Sequence, residues 1–498
     1  MNIMNKIYFS ILIVFFVAFT SIAQNCPTNG ITFTSQAQMN NFQVMYPNCT
    51  QINGNVIIDY GSSGANLNGL SNITSISGNL VIEDMATLTT LNGLNNLTSI
   101  GGLLKIRNNN NLVSIAALNN LTTIGEKLEI SYNNNLSNIT ALNNLTSVGS
   151  LDDPFGGVNI SYNPALASLS GLNNLSVLQS LHIGSNNSLT NLQGLNGLIS
   201  IGYNLDIGSN PGLLNLTGLE NLVFAERIHL TSCNGLVNLN GLNNLATVNA
   251  SLSIQLTNLS SFTGLENLTV VNGILNLAGG QTINCQGLSG LTTVNGEFSI
   301  TGANLLNLEG LSNLSHVSEA LMILYCPVLE NLHGLESLTS ANDIAIYINY
   351  NEVLTSLSGL QNLDPNDIHY IEIEGNEFLS MCAIENFCTY TNGNMGGFNM
   401  DGNAFGCNHR NQISAMCALS TNENSTSTNI KAYPNPTTDK LNIDIESDCS
   451  VTIYNSIGQQ IKTVNLYKGS NEINISPLAA GVYYFKTDSN YISKVIKK

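Results

Sequence analysis

The chain has 498 residues, of which 43% are hydrophobic and only 9% charged, with no Trp. Length alone suggests three or four ordinary domains, but a polar surface built from Asn, Ser and Thr fits an extended extracellular repeat protein better, and the dense, regularly spaced Leu and Ile exclude a disordered chain. The formal net charge of −18 repels a phosphate backbone, which excludes nucleic acid as a partner.

The predicted elements begin with a targeting segment, residues 1–24. Lys6 supplies a positive start, Ile7 to Phe19 is apolar apart from Ser10, and small residues follow at Ser21 and Ala23. About 13 apolar residues are too few to span a bilayer, so the segment reads as a cleaved signal peptide and not as an anchor. No later stretch is long and apolar enough to cross a membrane, so an integral membrane protein is not expected.

Residues 25–51 read as an N-terminal cap. Ser35 begins a short helix whose Met39, Phe42 and Met45 are expected to face inward. Cys26 and Cys49 bracket this segment, and a disulfide between them is expected in an exported chain.

Residues 52–378 hold about 14 units of mostly 23 or 24 residues, beginning near Ile52, Ile76, Ile100, Ile124, Val148, Leu178, Ile201, Ala225, Val248, Val271, Val294, Val317, Ala341 and Asn366. The fifth carries an insertion around Leu151 to Gly156. The pattern is I-x-G-x-L-x-I-x-x-N-x-x-L-x-x-L-x-G-L-x-x-L. Its L-x-I piece has period two, as a short strand requires, and the leucines that follow have period three. One unit cannot bury its own leucines, whereas stacked units bury a continuous column. The Asn after each strand (Asn109, Asn133, Asn163, Asn186, Asn210, Asn351, Asn376) is expected to turn inward and bond the backbone of neighbouring turns. Cys233 and Cys326 stand in that place and read as buried thiols.

Residues 379–418 replace the pattern with a cap containing Cys382, Cys388, Cys407 and Cys417. Their spacing is poor for zinc, so two bridges are expected among them, with three pairings open. A polar linker, 419–429, follows. The charge then changes sign: residues 25–429 carry 26 acids against 5 bases, and 430–498 carry 8 lysines against 6 acids. Alternating β-branched and polar residues in Leu441 to Ile445, Val451 to Asn455 and Val482 to Thr487 predict a small antiparallel sandwich over 430–498.

The repeat pattern resembles the leucine-rich repeat, and in particular the receptor-L-domain-like variety of bacterial surface proteins. That resemblance implies a mainly β fold: a right-handed solenoid with one parallel sheet along its concave side, roughly 65 Å long at about 4.8 Å per strand. The C-terminal segments Tyr433-PNP, Val451-TIYN, Gly458-QQ, Gly481-VYYF and Lys494-VIKK resemble, in order, the sorting domain of the type IX secretion system. This implies engagement of the type IX secretion machinery through 430–498, and a secreted or outer-membrane-attached product on a Gram-negative surface. It also implies that sequons such as Asn96-LT and Asn120-LT need not be glycosylated and follow from the repeat consensus.

The sequence holds no P-loop, G-x-S-x-G, H-E-x-x-H or EF-hand loop. No catalytic residue, metal ligand or cofactor is assigned, and the chain is not read as an enzyme. The middle residue of each L-x-I strand points away from the core, giving an outward row that includes Lys105, Glu129, Asn159, His182, Asp206, His229, Ser253, Asn276, Ser299, Met322, Tyr347 and Glu372. A parallel row includes Arg107, Ser131, Ser161, Gly184, Gly208, Thr231, Gln255, Ala278, Thr301, Leu324, Asn349 and Glu374. His182, Asp206 and His229 thus fall side by side. Alternate strands nearly 10 Å apart are too distant for one metal ion, and an open sheet offers Asp206, His229 and Ser253 no oxyanion hole. The expected site is a polar ligand face of Asn159, His182, Asp206, His229, Ser253 and Gln255, suited to a protein or glycan ligand. The expected function is surface recognition or adhesion; the alternative is a structural surface-layer or spacer protein without a specific ligand.

Overall fold

The computed structural model describes residues 25–498 except 62–64, 151–152, 154–155, 256, 340–342, 394–395, 421–430, 446–447 and 488–491. The signal segment, the expected unit start at Ala341 and most of the linker lie outside the described residues.

Each L-x-I piece forms a strand, and the strands stack in parallel into one 19-stranded sheet. The register is the expected one. Lys105 lies beside Glu129, then come Asn159, His182, Asp206, His229, Ser253, Asn276, Ser299, Met322, Tyr347 and Glu372. Behind the strands, the period-three leucines fill the interior; Leu189, Leu192, Leu195 and Leu198 are all fully buried. Burying a Leu is worth about 1.5–3 kcal/mol, and every turn contributes several. The consensus glycine has a steric cause. Gly241 has φ +116°, and a Cβ there would lie 2.0 Å from the Leu216 carbonyl oxygen of the preceding turn.

The turns are tied to one another by a buried asparagine ladder. Asn186 Nδ2 donates to the Ile160 carbonyl at 2.9 Å, and its Oδ1 accepts from the Asn163 backbone N–H at 3.1 Å. Asn109, Asn133 and Asn163 repeat the same two bonds. Cys233 and Cys326 occupy ladder positions as buried thiols. Burial pushes the Cys326 thiol up to about 11 and that of Cys285, another buried free cysteine, up to about 12, which keeps both thiols protonated and unreactive. The sequon residues make ladders of their own on the outside: Asn120 Nδ2 donates to the Asn95 carbonyl at 2.7 Å, and Thr122 Oγ1 donates to the Thr98 carbonyl at 3.0 Å. The N-x-T triplet is therefore explained by turn-to-turn bonding.

Several details differ from the sequence reading. Short strands at the unit starts, Gln51–Ile52, Ser75–Ile76, Ser99–Ile100, Thr123–Ile124 and Ser147–Val148, form a separate five-stranded parallel sheet. In the middle units these pieces merge with the main strand, as in Val177–Gly184 and Ser200–Gly208, and they separate again at Val270–Val271, Thr293–Val294 and His316–Val317. The expected unit start at Asn366 instead lies in a 3-10 turn, Pro365–Asp367, and the inward position passes to Ile368. Both caps add a strand: Ile31–Phe33 pairs with Val56–Ile58, and Gly397–Asp401 with Ile368–Glu374. Asn403, inside the second cap, extends the ladder by bonding Ile373 O at 2.7 Å.

In the first cap, helix Gln36–Met45 is capped by Ser35, whose side chain accepts from the Gln38 N–H. Met39 and Phe42 are buried, but Met45 is 52% exposed, contrary to expectation. Tyr46, four residues beyond Phe42, takes that side, with its ring 5.1 Å from that of Phe42. The disulfides are Cys26–Cys49, Cys382–Cys407 and Cys388–Cys417, so one of three open pairings is selected. The last cap helix reaches Ser420, two residues into the expected linker.

Beyond the linker, Lys431–Tyr433, Lys440–Ile445 and Gly469–Asn474 form one antiparallel sheet. Gln460–Leu466, Cys449–Asn455, Gly481–Thr487 and Ile492–Lys497 form another. The alternation in the sequence supplies their shared core, which includes Leu441, Ile443, Val451, Ile453, Phe485 and Val495.

Asn186→Ala strands the Asn163 N–H and the Ile160 carbonyl, and a buried unsatisfied group costs about 1–3 kcal/mol. A loss of about 2–4 kcal/mol is expected in urea unfolding followed by circular dichroism. A loss below about 1 kcal/mol would remove the ladder as a principal tie between turns.

Candidate ligand-binding face

The outward rows lie on paired strands, so each side chain has a fixed origin and neighbours at about 4.8 Å. Of the six expected ligand residues, His182, Asp206 and His229 come together. His182 Nδ1 is 2.8 Å from Asp206 Oδ2, and His229 Nδ1 is 3.6 Å from Asp206 Oδ1. One carboxylate is thus held between two imidazoles, the first by a good hydrogen bond and the second more loosely. The asymmetry has a visible cause. The His182 ring lies over Gly184, where an added Cβ would approach Nε2 to 2.7 Å. Any larger residue at 184 would displace this ring.

Partial burial of Asp206 pushes its carboxyl up, but the His182 hydrogen bond and the charges of His182 and His229 outweigh it and hold the group below the usual aspartate value. The imidazoles are about two-fifths exposed, so solvent screens this attraction and little stability rides on it. The sign follows: the contribution is present above the ordinary aspartate range and is lost as pH falls through the lowered value.

The other three expected residues flank this cluster. Ser253 Oγ accepts from Gln255 Nε2 at 2.9 Å, so the residue types of a Ser-His-Asp relay occur without a Ser–His hydrogen bond among the described residues. Asn159, beside His182 in register, has a buried Oδ1 with no hydrogen-bond partner among the described residues. Towards the end of the sheet the face changes character. Tyr370 donates to Glu372 Oε2 at 2.9 Å, Asn349 Nδ2 donates to Glu372 Oε1 at 2.8 Å, and the Tyr347 and Tyr370 rings meet at 5.6 Å. At the other end Lys105 pairs with Glu83 at 2.6 Å.

A further set of residues was missed in the sequence. The residue just after most main strands is left-handed, including Tyr132, Tyr162, Tyr325 and Tyr350 at φ 55–57°. A side chain in this region costs roughly 1–2 kcal/mol relative to Gly, and ring stacking offsets part of it. Tyr132 and Tyr162 stack at 4.4 Å, and Tyr325 and Tyr350 at 5.1 Å, each pair within 6° of parallel. The available signal was a Tyr immediately before a ladder residue in each unit: Tyr132-Asn133, Tyr162-Asn163, Tyr325-Cys326 and Tyr350-Asn351.

Comparison with known families addresses both parts of the chain. Residues 48–113 match the family model Receptor L domain, and 431–498 match the family model Secretion system C-terminal sorting domain. The chain carries a type IX sorting tail behind a repeat solenoid whose first turns match the receptor L domain. No curated protein matches the chain. The sorting tail marks the protein for export and attachment at the cell surface. No helix among the described residues is long and apolar enough to cross a membrane.

Two outcomes are expected. His182→Gln should raise the midpoint of Asp206 in a carboxyl NMR titration, because the strongest interaction lowering it is gone; an unchanged midpoint would exclude His182 as the cause. Deleting residues 430–498 should leave a folded solenoid retained in the periplasm, read by whole-cell immunolabelling against fractionated cells. Normal surface display of the truncated chain would contradict the sorting role.

Proposed function

We propose that the exported solenoid is a binding protein and not an enzyme, and that it takes a protein or glycan ligand on the outer face of its main sheet, centred on His182, Asp206 and His229. The observation that carries this reading is the carboxylate clamped between two half-exposed imidazoles on rigid strands. These residues depart from a repeat whose other positions are occupied by what turn stacking requires. Side chains already held in place lose less entropy on binding, and imidazoles with a carboxylate offer both donors and acceptors to hydroxyl or amide groups. Leucine-rich architecture is compatible with this role, though fold alone does not assign it.

The test uses the mature chain on a glycan array and in pull-downs of cell-surface proteins. Replacing His182, Asp206 and His229 together with Ser should leave the fold intact, since exposed strand residues usually contribute within about 0.5 kcal/mol. Capture should fall at least tenfold, corresponding to about 1.4 kcal/mol. If the triple variant captures as well as the parent while changes at Met322, Leu324 and Tyr347 abolish capture, the site lies at the other end of the sheet. A parent chain that captures nothing and self-associates would support a structural role instead.

A further inference from the structure

We propose that the open ring face of Tyr325 is a docking point for an arginine side chain of a basic partner protein, held over Gly302 in the place where Arg107 sits on the chain's own tyrosine stack. Three independent observations lead there: the treatment of arginines within the solenoid and its caps, an unmatched stack, and the distribution of charge.

Residues 25–429 contain three arginines, Arg107, Arg227 and Arg410. All three place the guanidinium over an aromatic ring: Arg107 over Tyr132 at 5.4 Å, Arg227 over Tyr203 at 4.9 Å, and Arg410 over Phe398 at 5.8 Å. A guanidinium is attracted to the electron-rich ring face and is weakly hydrated, so it leaves water for such a site readily. Arg107 closes the outer face of the Tyr132–Tyr162 stack. It does so from a defined place, because it is in register with Ser131, the residue that precedes Tyr132.

The second stack repeats this geometry without its cap. Tyr325 follows Leu324, and the residue in register with Leu324 on the preceding strand is Thr301. Where an arginine closes the first stack, a short hydroxyl side chain therefore stands at the second. The far side of the stack is closed, because the Tyr350 ring lies over Gly375, where a Cβ would come within 2.5 Å of it. The near side is open. Gly302 occupies the turn position next to Tyr325, and a Cβ built there meets nothing within 4 Å. The turn before that has Gly279 at the same place. Tyr325 is accordingly the most exposed of the four stacked tyrosines, at 56%.

Charge selects a cation for this face. Residues 228–409 contain 15 Asp and Glu and no Lys or Arg, so this half of the solenoid has no basic side chain of its own to cover the ring. Glu374 lies two strands from Leu324 in register, about 10 Å away, within reach of a second basic residue on the same partner. An anionic ligand would be repelled by the same field. This site is separate from the His182 cluster and does not depend on the role proposed for it.

The test is titration of the full mature chain, at low salt, with an acetylated and amidated (Gly-Arg)4 peptide and with its citrulline counterpart, which keeps the shape and loses the charge. The arginine peptide should bind at least fivefold more tightly, and added salt should weaken it. Tyr325→Ser, a residue this turn accepts at Ser185, Ser209 and Ser232, should weaken binding at least fivefold, whereas Tyr325→Phe should retain it. Thr301→Arg should rebuild the missing cap within the chain and block the peptide equally well. The triple His182, Asp206 and His229 variant should bind the peptide as the parent does, which separates failure at one site from failure at the other. Equal binding of the two peptides would overturn the proposal. So would parent-like binding by both Tyr325→Ser and Thr301→Arg, which would leave only diffuse attraction to an acidic surface.

Discussion

The structure depends on one constraint: backbone groups at the corner of each turn face an interior that no water reaches. The side chains of the neighbouring turn satisfy them. Asn186 illustrates the device, holding a carbonyl and an N–H of the preceding turn with a single buried amide. Where the ladder residue is Cys233 the thiol gives a longer, weaker bond, 3.7 Å to the Ile207 carbonyl, and the Cys326 thiol bonds the Leu324 carbonyl of its own turn. The cap at the C-terminal end obeys the same requirement, since Asn403 continues the ladder after the repeat pattern has ended.

That constraint also decides where function can reside. Inward positions, consensus glycines and sequon residues are all committed to turn stacking, so they cannot vary freely. The outward rows and the left-handed turn position carry no such obligation. His182, Asp206 and His229 use the first freedom; the stacked tyrosines use the second. Both sit on paired strands or directly after them, so a ligand would meet prearranged groups.

Electrostatics divides the exported chain further. The acidic solenoid and the mildly basic sorting domain fold around separate cores. Within the solenoid and its caps every arginine lies over an aromatic ring, and residues 228–409 hold no Lys or Arg. The field there is set almost entirely by carboxylates, whereas the centre is set by the His–Asp–His cluster.

Much of this was legible in the sequence. Periods of two and three residues are local properties of the chain, so they fixed the strands, the inward leucines, the register and both outward rows down to the adjacency of His182, Asp206 and His229. What the sequence left open depends on directions that side chains acquire only when turns stack. The choice of Cys382–Cys407 and Cys388–Cys417 among three pairings required the cap helices to be placed. The merging of short strands in the middle units, the partial burial of Tyr46 in place of Met45 and the shift from Asn366 to Ile368 are outcomes of packing. The preference of Asp206 for His182 follows from the space above Gly184. The closed and open tyrosine stacks differ because Arg107 and Thr301 occupy equivalent places eight turns of the main sheet apart, and which side chain covers each ring is settled only when turns stack.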